Sequence, residues 1–225
     1  MAAFDAFCAV PARAAARLYV LGDLFDQWIG DDQLREPLAA RVAAALRGVA
    51  TAGVPVGILV GNRDFLLGRR FADAAGATLL PERIVADVAG TPTLLMHGDE
   101  LCTSDVAYQR FRAFSHDPRW QRGFLALPYA LRRGVGNWLR RKSKTATTAK
   151  PEAILDVEQH AVEAAFRAAN VSRVIHGHTH RPAHHDLVVD GRACERWVLA
   201  DWYGRGSYLE CDAGGLRARE LPTVA

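Results

Sequence analysis

Four short motifs place residue types that can ligate a metal directly after apolar runs. Carboxylate, amide and imidazole groups together suit Mn²⁺, Zn²⁺ or Fe²⁺, and alternating histidines share one side of an extended segment. The motifs therefore predict a metal centre. They are Gly22-Asp23, Gly61-Asn62-Arg63-Asp64, His97-Gly98-Asp99 and His176-Gly177-His178-Thr179-His180.

Each motif has a purely structural interpretation when it is taken alone. Asp23 after a glycine is typical of a turn, and Gly61-Asn62 is typical of a turn from a strand into a helix. A lone histidine such as His97 is usually structural. His176 is assigned to its strand or to a place behind the metal ligands. The four motifs in combination are far more specific than any one of them.

The elements that must position these residues follow from the apolar runs. Short apolar runs that alternate with helices predict an α/β sheet buried on both faces, and ligands collect at the carboxyl ends of such strands. Helices are predicted over 37–52, 69–75 and 152–170. Strands are predicted over 18–21, 56–60, 93–96, 171–175, 197–200 and 207–210.

The segment 105–151 interrupts this alternation and is predicted to be a helical insertion. Leu131, Val135, Trp138 and Leu139 share one face of a helix. The range 118–151 contains no acidic residue but nine arginines and lysines. A local positive field of this kind attracts phosphates or anionic lipid headgroups.

Length and composition limit the remaining possibilities. A chain of 225 residues is the right length for one domain over 1–225. Its formal net charge of +3 is too small to imply a polyanionic partner. The four cysteines form no C-x-x-C pair, which indicates a reducing compartment rather than a disulfide scaffold. We expect a soluble, cytoplasmic protein, because neither a membrane-spanning run nor a secretory signal is evident.

The wording of the motifs resembles the UDP-2,3-diacylglucosamine pyrophosphatases of lipid A synthesis, within the calcineurin-like metallophosphoesterases. The resemblance runs from about residue 15 to near the C-terminus. It implies an α/β fold, a β-sandwich flanked by helices, with residues 105–151 as a helical lid. The segments that carry it are Gly22-Asp-Leu-Phe-Asp-Gln-Trp-Ile-Gly-Asp-Asp32, Gly61-Asn-Arg-Asp-Phe-Leu-Leu-Gly68, His97-Gly-Asp-Glu-Leu-Cys-Thr103 and His176-Gly-His-Thr-His-Arg-Pro182.

The resemblance implies two Mn²⁺ ions that share Asp23. Asn62, His97 and His178 correspond to the other ligands of one ion, and His180 corresponds to a ligand of the second. Two such ions polarise phosphoryl oxygens and activate a water molecule. That water would attack the α-phosphorus of UDP-2,3-diacylglucosamine and release UMP and 2,3-diacylglucosamine 1-phosphate (lipid X).

The resemblance also implies a set of substrate-binding residues. Arg63 stands where many other metallophosphoesterases carry histidine, and its guanidinium can grip phosphate but donates protons poorly. Thr147 departs from the asparagine that some members carry at this place. The full set implied by the resemblance is Asn62, Arg63, Asp105, Ser143, Thr147, Lys150 and His178.

The resemblance gives the insertion a function as a lid. Phe124, Leu125, Leu127 and Trp138 would line a groove for acyl chains while the arginines face anionic headgroups. The alternative is an amphipathic helix pair that packs on the core. The expected location is the cytoplasmic leaflet of the inner membrane of a Gram-negative bacterium, for a monomer that binds no nucleic acid.

One family motif is missing from this chain. The family opens with a strand that ends in Asp-x-His, but only Asp5 precedes Asp23 among the acids, and His97 is the first histidine. The second ion would then keep only Asp23 and His180. Either the natural start lies upstream or the chain is a degenerate relative, and we expect little two-metal activity from these 225 residues.

Two other functions compete with the leading one. The first is a different metal-dependent phosphodiesterase on the same fold, which Arg63 and the basic insertion disfavour. The second is a non-catalytic module that binds anionic lipid or nucleic acid through the insertion, which predicts salt-sensitive binding without hydrolysis.

Overall fold

The computed structural model describes residues 1–148, 156–203 and 205–222, and the side chains of all of these except residues 143–148. The helices are α1 (Ala2–Ala9), α2 (Pro37–Thr51), α3 (Arg69–Ala75), α4 (Val106–Ser115), α5 (Pro118–Leu125), α6 (Tyr129–Thr148) and α7 (Gln159–Ala169). The strands are β1 (Leu18–Leu21), β2 (Val56–Leu59), β3 (Ala77–Leu79), β4 (Arg83–Val88), β5 (Thr91–Met96), β6 (Arg173–His176), β7 (Ala183–Val189), β8 (Arg192–Val198), β9 (Ser207–Asp212) and β10 (Gly215–Glu220).

The first sheet is parallel and has the order β1-β2-β3. Helix α2 lies between β1 and β2 in the chain and makes the crossover between them. It begins at Pro37, which favours the first turn of a helix, and it ends just before Gly53. One face of this helix is buried, including Leu46 and Val49, which are fully inaccessible to solvent. Parallel strands joined in this way bring their carboxyl ends to one edge of the sheet.

The second sheet is mixed and has the order β4-β5-β6-β8-β7. Its central strands β5, β6 and β8 are parallel, and the edge strands β4 and β7 pair antiparallel to their neighbours. Helix α7 covers one face through Val162 and Phe166. Strands β9 and β10 form a separate antiparallel hairpin.

The two larger sheets face each other across a shared apolar cluster. Leu21 and Leu59 from the first sheet belong to the same cluster as Leu95 and Ile175 from the second, with Leu209 of β9 packed against it. This contact makes the fold a sandwich of one parallel and one mixed sheet with helices outside, and it confirms the predicted sandwich. Burial of these side chains is the main term that holds the sheets together.

The predicted helical insertion contains α4, α5 and α6, and Asp105 and Asp117 cap the first two of these helices. Leu131, Val135 and Trp138 are 58%, 40% and 52% exposed, so their shared face does not pack on the core. The expectation for Phe124 is wrong. Its ring is buried in the main core and stacks on Trp120, so it lines no open groove.

The predicted helix over 152–170 begins later than expected, because α7 starts at Gln159 after an extended Glu158. Residues 152–155 of that prediction lie outside the described part. No helix among the described residues is long and apolar enough to cross a membrane.

Candidate functional site

Four of the predicted ligands meet where the strands end. Asp23 follows β1, Asn62 follows β2, His97 follows β5 and His178 follows β6. One donor atom from each of Asp23, His97 and His178 lies within 4.8 Å of the other two. These four residues are called the ligand cluster below.

The amide of Asn62 completes the ligand cluster. Its Oδ1 lies 3.0 Å from Nε2 of His97 and 3.1 Å from Nδ1 of His178. His97 is held from behind, because its Nδ1 donates to the backbone carbonyl of Leu21 at 2.8 Å. That bond turns Nε2 toward the cluster, as in histidines that ligate metals.

The charge state of the ligand cluster also suits a cation. Burial lowers the pKa of His178 to about 3. Its imidazole is therefore neutral at physiological pH and can offer a lone pair. A carboxylate, an amide oxygen and imidazole nitrogens at these separations fit a divalent metal ion.

The backbone around the ligands has unusual dihedral angles. Asp23, His178 and His180 have positive φ values of 53°, 68° and 55°, although none of them is glycine. Side-chain residues rarely occupy this region unless the surrounding structure enforces it, and such positions concentrate at functional sites. Gly61 allows the close approach of two strand ends, because a Cβ there would overlap the carboxylate of Asp23.

A fully buried carboxylate, Asp64, supports the two loops that carry the ligands. It accepts backbone N–H bonds from Gly61 and Leu24, both at 2.7 Å, and from Asp23 at 3.2 Å. Burial and the charge of Asp23 raise its pKa, and the backbone hydrogen bonds oppose this shift. Asp64 thereby fixes the loop after β1 against the loop after β2.

Arg63 lies beside the ligand cluster with its guanidinium partly exposed. Its Nε is 3.3 Å from Oδ2 of Asp23. Its Nη1 donates to Oδ1 of Asp26 at 2.9 Å and to the hydroxyl of Tyr203 at 2.5 Å. A guanidinium held at the rim of a metal site is placed to bind a phosphoryl oxygen.

Helix α4 reaches the ligand cluster through Tyr108. Its ring stacks on His178 with 6.2 Å between centroids, and its hydroxyl donates to the buried carboxylate of Asp99. Arg112 joins Asp99 to Glu82, with N–O distances of 2.8 and 2.5 Å, and His116 also contacts Glu82 at 2.5 Å. This network fixes α4 to the start of β4.

His180 stands apart from the ligand cluster. Its Nδ1 lies 3.6 Å from Oδ2 of Asp201, and its ring packs near Tyr203. Among the described residues, the group of donor atoms within 4.8 Å contains Asp23, His97 and His178 but not His180. The structure thus brings together the residues predicted to bind one ion. Of the residues predicted to bind the other ion, Asp23 lies in the cluster and His180 lies apart from it.

The predicted substrate-binding residues beyond the cluster have mixed outcomes. Asp105 is buried and accepts the backbone N–H of Tyr108 at 3.1 Å, so it caps helix α4. Ser143 and Thr147 lie in α6, with side chains outside the described part. Lys150 lies outside the described residues, and His176 is buried in β6 with Nε2 near Arg196.

Asp26 and Tyr203 lie at the site although no sequence motif predicts them. They lie 177 positions apart, and the Tyr203 hydroxyl donates to Oδ1 of Asp26 at 2.5 Å. No local spacing reveals such a pair. The available signal was Asp26 itself, the second acid after β1 and three positions beyond Asp23.

Comparisons with known proteins identify a matching family and similar proteins. The family model described as calcineurin-like phosphoesterase matches residues 3–182. A UDP-2,3-diacylglucosamine hydrolase from Aromatoleum aromaticum is 49% identical over 213 residues, which cover 95% of this chain and 86% of the relative. A protein of the same name from Escherichia fergusonii is 47% identical over 221 residues, covering 98% of this chain and 92% of the relative.

A solved structure, TT1561 of Thermus thermophilus, has a TM-score of 0.48 and 15% identity, and the match covers 97% of this chain and 92% of that one.

Proposed function

We propose that this chain, which belongs to the calcineurin-like phosphoesterase family, hydrolyses the pyrophosphate bond of UDP-2,3-diacylglucosamine with the help of divalent metal ions. The observation that carries the proposal is the convergence of Asp23, Asn62, His97 and His178 beside Arg63. The substrate comes from the names of relatives that are 47–49% identical over nearly the whole chain. The products would be UMP and 2,3-diacylglucosamine 1-phosphate.

The site residues have two roles, since the ligand cluster would bind the cation and Arg63 would bind the phosphates. Asp23, Asn62, His97 and His178 would hold a divalent ion, which we propose to be Mn²⁺. A bound divalent ion supplies Lewis acidity toward a phosphoryl oxygen and lowers the pKa of water. Arg63 would bind the pyrophosphate and stabilise the charge that develops on its oxygens in the transition state.

The direct test is hydrolysis of purified UDP-2,3-diacylglucosamine in detergent, with UMP measured by chromatography. We expect slow UMP release that needs added Mn²⁺ and stops with EDTA, because only one of the two expected ions has its ligand set assembled among the described residues. Arg63→Ala should lower kcat/KM by about 100-fold, because one charged contact to the transition state is lost. Asp190→Asn is the matched control, since it removes an exposed carboxylate that pairs with Arg167 away from the site.

The number of bound ions is a second measurement on the same samples. Titration calorimetry with Mn²⁺ should give one tight site that disappears in His97→Ala. The prediction of little two-metal activity is tested at the same time, because two tight ions together with fast hydrolysis would contradict it.

The competing functions give different results in a substrate panel. Faster hydrolysis of cyclic nucleotides or of a simple aryl phosphodiester than of UDP-2,3-diacylglucosamine would support another phosphodiesterase. Salt-sensitive binding of anionic vesicles or RNA with no UMP at any metal concentration would support a non-catalytic module.

We also propose that α4–α6 place the protein on the cytoplasmic leaflet of the inner membrane. This helical segment exposes Leu131, Val135 and Trp138 beside a run of arginines and lysines, a combination suited to the interface of an anionic bilayer. Vesicles rich in anionic lipid should carry the protein upward in a flotation gradient. Trp138→Ser should reduce that fraction, and neutral vesicles serve as the control.

A further inference from the structure

One face of helix α6 contacts the loop that follows the ligand Asp23. Arg132, Gly136 and Arg140 occur at intervals of four residues, which is the spacing of one helix face. Each of the three touches a residue between positions 26 and 32. The loop over residues 23–32 therefore begins with the predicted ligand Asp23 and contacts helix α6 at several of its later positions.

The beginning of this face is fixed by a buried arginine. Arg132 is 3% exposed, and it donates to the carbonyl of Ile29 at 2.6 Å, to the carbonyl of Leu127 at 2.9 Å and to the carboxylate of Asp32. Arg132 is buried whereas Asp32 is partly exposed, and leaving a buried guanidinium without its partners is costly, so this contact does not open readily.

In the middle of the face, the backbone of α6 at Gly136 lies close to the side chains of Gln27 and Ile29. A Cβ at Gly136 would overlap the amide of Gln27 and lie 2.7 Å from Cγ2 of Ile29. Any larger residue at position 136 would require the side chains of Gln27 and Ile29 to move, so glycine favours this close approach of α6 to the loop.

At the last residue of this face, Arg140, the helix meets the exposed carboxylate of Asp26 on the loop. Its Oδ2 accepts from Arg140 at 2.7 Å, while its Oδ1 accepts from Arg63 at 2.9 Å and from Tyr203 at 2.5 Å. The side chains of Asp26, Arg63 and Arg140 are 41%, 35% and 55% exposed. Unlike the Arg132 pair, this junction is open to solvent and to ligands.

We propose that Asp26 is a positioning residue that orients Arg63 and links helix α6 to it through Arg140. The guanidinium groups of Arg63 and Arg140 carry like charges that repel each other, and the carboxylate that they share holds both in place. An anionic ligand that binds Arg63 competes directly with Asp26. The orientation of Arg63 and the position of α6 around Arg140 are therefore coupled.

The part of this inference that concerns α6 is independent of catalysis, and the part that concerns turnover rests on the proposed function. Hydrogen exchange in the ligand-free protein tests the first part. In Asp26→Asn, peptides that cover residues 137–142 should exchange about tenfold faster, because an exposed charge-assisted contact that holds this part of the helix is lost. Peptides that cover α4 should not change.

Matched variants identify the partner. Arg140→Ala should accelerate exchange at 137–142 to the same extent, and the Asp26→Asn/Arg140→Ala double variant should add nothing to either single change. Asp190→Asn, which removes another exposed aspartate that pairs with an arginine, should leave these peptides unchanged. Additive effects in the double variant, or no effect in Asp26→Asn, would overturn the link to α6.

Steady-state kinetics test the action through Arg63. Asp26→Asn should lower kcat about tenfold in the wild-type background and less than about twofold in an Arg63→Ala background, since Arg63 is then absent. Asp26→Glu should recover part of the lost kcat by keeping the charge. An equal loss of kcat in both backgrounds would refute the positioning role, whereas absence of turnover in the wild type would count against the proposed function and leave the exchange result standing.

Discussion

At the scale of single residues, the ligand cluster could be predicted because each ligand follows an apolar strand and carries its chemistry in its residue type. Asp23, Asn62, His97 and His178 were identified in this way, and the structure brings them together. The residues that hold them could not be found so easily. Asp64 looks like an ordinary turn residue in the sequence, and only its complete burial and its three backbone partners show its role.

Asp64→Asn should destabilise the protein and loosen the ligand cluster. An amide keeps the shape of the carboxylate but places N–H groups against backbone N–H donors, and a buried unsatisfied donor is costly. We expect the free energy of unfolding to fall by about 3 kcal/mol in urea denaturation and the affinity for Mn²⁺ to fall with it.

Asp73→Asn is the control for this prediction, because Asp73 is exposed and pairs with Arg69 on helix α3. It should change stability by less than about 0.5 kcal/mol. Equal stabilities for the Asp64 and Asp73 variants would show that the buried carboxylate does not support the loops.

At the scale of elements, the buried strands could be predicted and the exposed ones could not. The runs that become β1, β2, β5 and β6 are apolar on both faces, whereas β3, β4, β7 and β10 were missed. The burial of β4 alternates along Arg83–Val88, and β7 contains two histidines and an aspartate on the outside. Such edge strands look like loops in a single sequence, because their pairing depends on distant neighbours.

The network that joins β4 to α4 should give the protein an acid-sensitive contact. The hydrogen bond from His116, together with Arg112 and against the effect of burial, lowers the pKa of Glu82 from 4.5 to about 2. A lowered pKa means that the folded protein binds fewer protons than the unfolded chain, so this contribution is present above pH 4.5 and is lost as the pH falls toward 2.

The stability difference between the wild type and Glu82→Gln, measured by urea unfolding, should therefore shrink between pH 4.5 and pH 2. Glu220→Gln, which affects an exposed pair with Arg205, should show no comparable change. A difference between wild type and Glu82→Gln that stays constant across this range would contradict the assignment.

At the scale of the whole molecule, the sandwich and the enzyme family follow from the motifs, and the position of α6 does not. The prediction placed α6 as part of a lid on the basis of its apolar face and its arginines. The structure shows that the arginines divide, with Arg132 buried against the core and Arg140 beside the site. Which arginine is buried depends on Asp26, Asp32 and Gly136, and these residues meet only in the folded protein.

Metal binding should raise the stability of the whole fold. The ligands come from four strand ends in both sheets, so an ion that binds only the folded state stabilises it by RT ln(1 + [L]/Kd), about 2.7 kcal/mol at roughly 100 times Kd. Thermal unfolding should shift upward with Mn²⁺ and return to the metal-free value with EDTA. His97→Ala should abolish the shift, and a shift of the same size in that variant would place the ion elsewhere.

The positive φ angles at Asp23, His178 and His180 have a consequence for how the protein tolerates change. Left-handed backbone favours glycine or asparagine at each of these positions, so the residues best for folding differ from those best for binding a cation. Libraries selected only for heat resistance should accumulate glycine or asparagine there, whereas libraries selected for turnover should retain the native residues. Positions at which residue frequencies differ most between the two selected libraries would identify the site without a structure of the bound substrate or metal.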